Sequence, residues 1–136
     1  MQSSVLQVLE RRRFDWTYLT SGQQQVVIQP AIPVADFYHV QLWIRIHELS
    51  FSASQVVGVS LFDTLPSNDD PREFTRTSST FASTSFTSSP GAPALLSASG
   101  SGPGAYLKLL LTAYQDTAPG IFYVELSMAL VLRRST

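Results

Sequence analysis

Tyr38–His47, YHVQLWIRIH, alternates between two kinds of side chain along its whole length. Tyr38, Val40, Leu42, Ile44 and Ile46 fall on one side; His39, Gln41, Trp43, Arg45 and His47 fall on the other. Successive side chains of an extended strand point to opposite faces, so a sustained period of two describes a strand with one buried and one wet face. The pattern returns near the C-terminus, where Phe122, Val124, Leu126, Met128, Leu130 and Leu132 alternate with Tyr123, Glu125, Ser127, Ala129, Val131 and Arg133. The chain reads as all-β.

Working outward, shorter runs carry the same signal. Residues 25–29 (QVVIQ) form a strand closed by Pro30 and Pro33, since proline gives a ladder no N–H and sits at strand ends or edges. Residues 55–62 form another, followed by a turn-rich loop at 65–71. From Thr77 to Ser89, ten of thirteen residues are Ser or Thr. Phe81 and Phe86 argue against a flexible linker there, so the stretch reads as edge strands with hydroxyl-rich outer faces. Pro90–Gly104 holds four of the seven glycines and is the least ordered part by composition, with Leu95 and Leu96 pinning its middle to the core. Residues 105–114 place Leu107, Leu109, Leu111 and Ala113 inward, and the turn Gln115–Gly120 leads into the last strand. Two alternating strands across a short turn predict a hairpin.

A total of about seven to nine strands, with no room for a long helix, leaves a sandwich or a small barrel. Long strands and uneven loops favour a single-domain antiparallel β-sandwich of jelly-roll type. Residues 1–21 form an N-terminal arm or first strand, and residues 22–136 the sandwich. At 136 residues the chain has the size of one domain and buries enough surface to fold without staples. It has no cysteine, which excludes thiol catalysis, zinc ribbons and iron–sulfur clusters.

Nine Lys plus Arg stand against ten Asp plus Glu, for a net charge of −1. That balance supplies no field to draw in nucleic acid or an anionic membrane. It also leaves weak self-repulsion, which suits a protein that works in contact with others. No apolar run approaches the ~20 residues that span a bilayer. The opening residues lack a basic leader followed by an apolar run, so the expectation is synthesis in the cytoplasm without a signal peptide.

His39 and His47 share a strand face but lie roughly 27 Å apart, too far to hold one ion. Glu48, next in sequence, points to the opposite face on the same period. The histidines read as solvent-facing polar positions, and no metal or cofactor is expected. Asp63, Asn68, Asp69 and Asp70 gather carboxylates and an amide around one loop, with Asn68, Asp69 and Asp70 as a candidate ligand loop for calcium. The spacing is not that of an EF-hand, and Asn-Asp followed by Asp-Pro is ordinary turn chemistry. Gly100–Gly104 lacks the Lys and the following helix of a phosphate loop, and no nucleophile elbow occurs. An enzyme of jelly-roll type would want clustered histidines, so an enzyme is not expected.

Arg11, Arg12 and Arg13 would join Arg133 and Arg134 in one basic patch if the chain ends meet. Without interleaved aromatics such a patch suits a protein surface better than nucleic acid. Trp43 on the polar face of its strand, with Tyr106 and Tyr114 on theirs, marks a protein contact or a sugar platform. Val5, Leu6, Val8, Leu9, Phe14 and Trp16 lie on a segment too short to form a core of its own. That segment is expected to pack across a neighbouring subunit or shell protein, with Phe14 or Trp16 as anchor and the arginines at the rim.

With no cysteine, one lysine, Ser/Thr-rich strands and no catalytic set, the chain resembles in character the small β-sandwich accessory proteins of tailed phages and other virus-like particles. The resemblance implies a non-enzymatic structural protein of a virion or similar particle. Such a protein would self-associate as a homo-oligomer or decorate a larger shell protein. The alternative is a carbohydrate-binding β-sandwich using Trp43, Tyr38 or the loop around Asn68.

Overall fold

Eight strands follow one another: β1 (Ser3–Trp16), β2 (Gly22–Pro33), β3 (His39–Ser50), β4 (Gln55–Leu65), β5 (Arg76–Phe86), β6 (Ala94–Ser101), β7 (Tyr106–Gln115) and β8 (Phe122–Arg133). The structure, a computed structural model, describes residues 3–16, 22–51, 55–65, 76–88, 92–115 and 122–134. The strands build two four-stranded sheets in the orders β1-β8-β3-β6 and β2-β7-β4-β5. All the pairings are antiparallel. Except at the step from β4 to β5, each strand hands the chain to the opposite sheet. This is the winding of a jelly roll, in which two Greek keys make a double sheet.

The apolar phases read from the sequence are the ones buried between the sheets. Val40, Leu42, Ile44 and Ile46 of β3, Leu107, Leu109 and Leu111 of β7, and Leu126 and Leu130 of β8 are all fully buried. A chain of aromatic rings closes one end of this core. Phe14 lies 6.3 Å from Trp16, and Trp16 stacks on Phe122 at 5.1 Å. Phe122 meets Phe51 edge-on at 5.5 Å, and Phe51 stacks on Phe86 of the second sheet at 5.8 Å.

Several expectations are corrected. β7 and β8 are not a hairpin: β7 pairs with β2 and β4, whereas β8 pairs with β1 and β3. Alternation reports which face is buried, and strands facing each other across a core alternate just as paired neighbours do. Of the two readings of residues 1–21, the described residues 3–16 take that of a first strand and not of a free arm: β1 is a full strand of the first sheet whose Val8, Phe14 and Trp16 enter the chain's own core. Bulges between Gln7 and Leu9 and between Leu9 and Arg12 shift the phase, so the strand runs straight through the arginines without a simple period. The glycine-rich stretch after Pro93 is the regular edge strand β6, whose small side chains suit close packing: a Cβ on Gly100 would lie 2.8 Å from the Phe81 ring. A register shift between Ile46 and Glu48 places Glu48 opposite Glu125. Glu48 therefore shares the outer face with His47 instead of opposing it. Tyr38 precedes β3 and stays 56% exposed.

Candidate functional site

The outer face of the first sheet carries the most distinctive arrangement. Across its strands, Gln7, Ala129, Trp43 and Ser97 stand in one row, and Val5, Val131, Gln41 and Ser99 in the next. On the other side of the Trp43 row, Ser127, Arg45 and Leu95 are aligned. Val5, Val131, Ala129, Trp43 and Leu95 thus form an oblique apolar stripe over all four strands, through direct and diagonal neighbours. Its two ends are well exposed, Val5 at 73% and Leu95 at 51%. Trp43 stands between two small neighbours, Ala129 and Ser97, and borders a shallow depression of about 250 Å³ lined also by Gln7, Arg45, Leu95 and Ser127.

Charge flanks this stripe at one end in locally neutralised pairs. Arg11 is ion-paired with Glu125 across to β8. Arg13 Nε donates to Asp15 at 2.9 Å, and its guanidinium lies 3.8 Å from the Tyr123 ring centroid. The hydrogen bond to Asp15 pushes the Arg13 pKa further above its ordinary value. Arg12 lies over the Phe14 ring at 4.6 Å.

The candidate residues therefore separate. Arg11, Arg12 and Arg13 do not meet Arg133 and Arg134, because antiparallel pairing sets Ser3 opposite Arg133 and Arg13 opposite Glu125. The two basic runs lie at opposite ends of the β1–β8 ladder. Phe14 and Trp16, at 5% and 3% exposure, are used by the core and present no anchor to a partner. Trp43 is on the outer face of the first sheet, while Tyr106 and Tyr114 belong to β7 in the second. The three aromatics make no common platform. Asn68, Asp69 and Asp70 lie outside the described residues.

His47 Nε2 and Ser127 Oγ are 3.0 Å apart on the outer face. A hydroxyl near an imidazole is the start of a nucleophilic pair, but among the described residues no group orients the second ring nitrogen. Likewise, among the described residues no three His, Cys, Asp or Glu side chains gather to hold a metal. No helix of the described residues is long and apolar enough to cross a membrane.

The long sides of the sandwich differ. Where β5 meets β6, the Phe81 ring packs against Gly100. Where edge strands β1 and β2 come together, Gln29 Nε2 reaches across and donates to the Val8 carbonyl at 2.9 Å. A cleft lined by Val8, Arg11, Ile28 and Gln29 lies beside that bridge. Val5, Leu6 and Val27 are exposed on these two strands. Sequence reasoning had no signal for this side, because which strand lies at an edge is fixed by sheet order alone.

No protein-family model matches the sequence, nor does any curated protein. The fold does have counterparts among solved structures. VP2 of the infectious bursal disease virus subviral particle superposes with a TM-score of 0.63 at 11% identity, over 98% of this chain and 32% of that one. The structure of the virus's Gx strain gives 0.59 at 11% identity, over 96% and 31%. A glycosylation-associated protein complex from Streptococcus agalactiae gives 0.50 at 12% identity, over 97% and 26%. The chain thus spans about a third of the VP2 chain it matches. The likeness is one of fold.

Proposed function

We propose that this chain is a non-enzymatic structural module that associates with copies of itself inside a larger protein particle of virion type. The observation that carries this reading is the stripe Val5–Val131–Ala129–Trp43–Leu95, spread over an outward sheet face. A soluble sheet ordinarily alternates apolar-in and polar-out. An outward row of aliphatic and aromatic groups crossing every strand suits a contact surface. Four strands at about 4.8 Å spacing and about ten residues at about 3.3 Å give a face of roughly 600 Å². Two such faces together reach about 1,200 Å², the lower end of specific interfaces. The jelly-roll strand order and the likeness to a domain of VP2, a protein of a subviral particle, support the particle setting. Fold by itself does not fix function, so the stripe is what must be tested. Trp43→Glu and Leu95→Glu place a charge in the stripe at positions outside the core. Each is expected to weaken self-association at least tenfold by light scattering while the circular dichroism spectrum stays native. Unchanged association in both variants refutes the stripe as a contact.

A second reading rests on the depression beside Trp43, where Gln7 and Arg45 from separate strands converge on an indole. An aromatic platform with planar hydrogen-bonding groups suits a sugar ring. Trp16 is buried and Trp43 half-buried, so quenching of the Trp43 fluorescence by a mono- or oligosaccharide panel, lost in Trp43→Phe, would favour this reading over assembly.

A further inference from the structure

Of the arginines whose side chains are described, all but one have a partner within the chain. Arg11 is ion-paired with Glu125 and Arg13 with Asp15. Arg12 and Arg134 lie over the Phe14 and Phe37 rings, and Arg133 Nη1 is 3.5 Å from His39 Nδ1. Arg45 is the exception. Among the described residues it has no ion pair, hydrogen bond or ring contact, and it stands exposed on the outer face of β3. Trp43 is two residues away on the same face, about 7 Å along the strand. Both border the depression of about 250 Å³. Arg45 and Leu95 also border the adjoining one, of about 260 Å³, towards His47 and Pro93. The guanidinium thus meets open concave space where the other arginines meet a carboxylate or a ring. Glu125, one row beyond Ser127 on β8, is already taken by Arg11.

We infer that Trp43 and Arg45 form a binding site for an acidic saccharide, a pyranose whose ring lies on the indole and whose carboxylate is gripped by Arg45. This rests on the sugar reading above and adds the charge of the sugar and the residue that selects it. A guanidinium presents parallel N–H donors to the two oxygens of a carboxylate, and such a pair is shorter and stronger than a neutral hydrogen bond. Leu95 and the indole flank the contact with apolar surface, where opposite charges attract more strongly than in open water. The Gln7 amide and the Ser127 hydroxyl border the same depression and supply donors and acceptors for ring hydroxyls. Its volume falls below the ~300–1,000 Å³ of sites for drug-sized ligands, which suits a single ring. An acidic peptide fits less well. Extended peptides take their affinity from main-chain hydrogen bonds to a free strand edge, and the β3 backbone beneath Trp43 and Arg45 is paired with β8 on one side and β6 on the other. A saccharide needs only the side chains.

The test titrates the full chain by calorimetry at low salt with matched probes: digalacturonate against its methyl ester, which differs in charge alone, and sialyllactose against lactose. Each acidic probe is expected to bind at least tenfold more tightly than its neutral counterpart, a preference that shrinks as salt is raised. Arg45→Gln alters an exposed side chain, and native circular dichroism confirms its fold. It is expected to bring the preference below about twofold while the neutral probes bind as before. Trp43→Ala is expected to abolish binding of both kinds. Equal affinity for acidic and neutral probes, or a preference that survives Arg45→Gln, overturns this inference and leaves the sugar reading standing. Tetraglutamate binding as tightly as digalacturonate, with the same dependence on Arg45, overturns the saccharide as occupant. If no sugar of either kind binds up to about 10 mM, weaker than −3 kcal/mol or so, the sugar reading falls and this inference with it.

Discussion

Replacing Trp16 by Ala separates the two roles open to the N-terminal segment. The indole is 3% exposed, stacked at 5.1 Å on Phe122 and flanked by Phe14 at 6.3 Å. Truncation removes its burial and leaves a cavity lined by Phe14 and Phe122. Large aromatic-to-Ala changes in cores cost about 3–5 kcal/mol. The lost ring stacking falls within that range, each such pair contributing about 0.5–1.5 kcal/mol. Against a total stability of about 5–15 kcal/mol for a domain, this is a substantial share of the margin.

With a urea dependence of about 2 kcal/mol per M, the midpoint should fall by about 1.5–2.5 M. Far-UV circular dichroism is the suitable probe, because it does not depend on the indole removed. If the midpoint moves by less than about 0.5 kcal/mol equivalent, as for a surface substitution, while association is lost, then Trp16 serves a partner and the assignment of β1 to the core is refuted.

Leu126→Ala, at a fully buried site of β8, should cost about 2–5 kcal/mol in the same urea titration. Gly100→Ala brings a Cβ to 2.8 Å from the Phe81 ring and 3.1 Å from its carbonyl oxygen, and should destabilise by about 1–2 kcal/mol through overpacking. Combining it with Phe81→Ala should recover at least about 0.5 kcal/mol of coupling; purely additive losses would mean that the two residues do not touch. Arg11→Ala removes an ion pair whose arginine side chain is 56% exposed, and thermal unfolding should show a change within about 1 kcal/mol.

Much of the fold is legible in the sequence, for a simple reason. β3 and β8 are central strands of one sheet with a packed inner face, so their period of two is strong. The partners of each strand are not legible. β7 and β8 read as a hairpin because a six-residue connection fits both a hairpin and a crossing between facing sheets. β1 is obscured by its bulges: Leu9 pairs with the inward Met128 and packs against the core directly after the buried Val8, which interrupts the alternation. β6 is obscured by its composition, since an edge strand packed against Phe81 needs small residues rather than large apolar ones. Trp43 is identifiable as outward from the alternation of its own strand. The stripe it belongs to depends on the register of β1, β8, β3 and β6, which no single segment encodes.

The most direct test of the structural role is the mass of the purified wild-type chain as a function of concentration, by sedimentation equilibrium from about 1 µM to 1 mM. A chain whose apolar sheet face is a contact should rise reversibly above the 15.0 kDa monomer as concentration increases. A single species at the monomer mass over the whole range, under both low and physiological salt, would contradict self-assembly as its function.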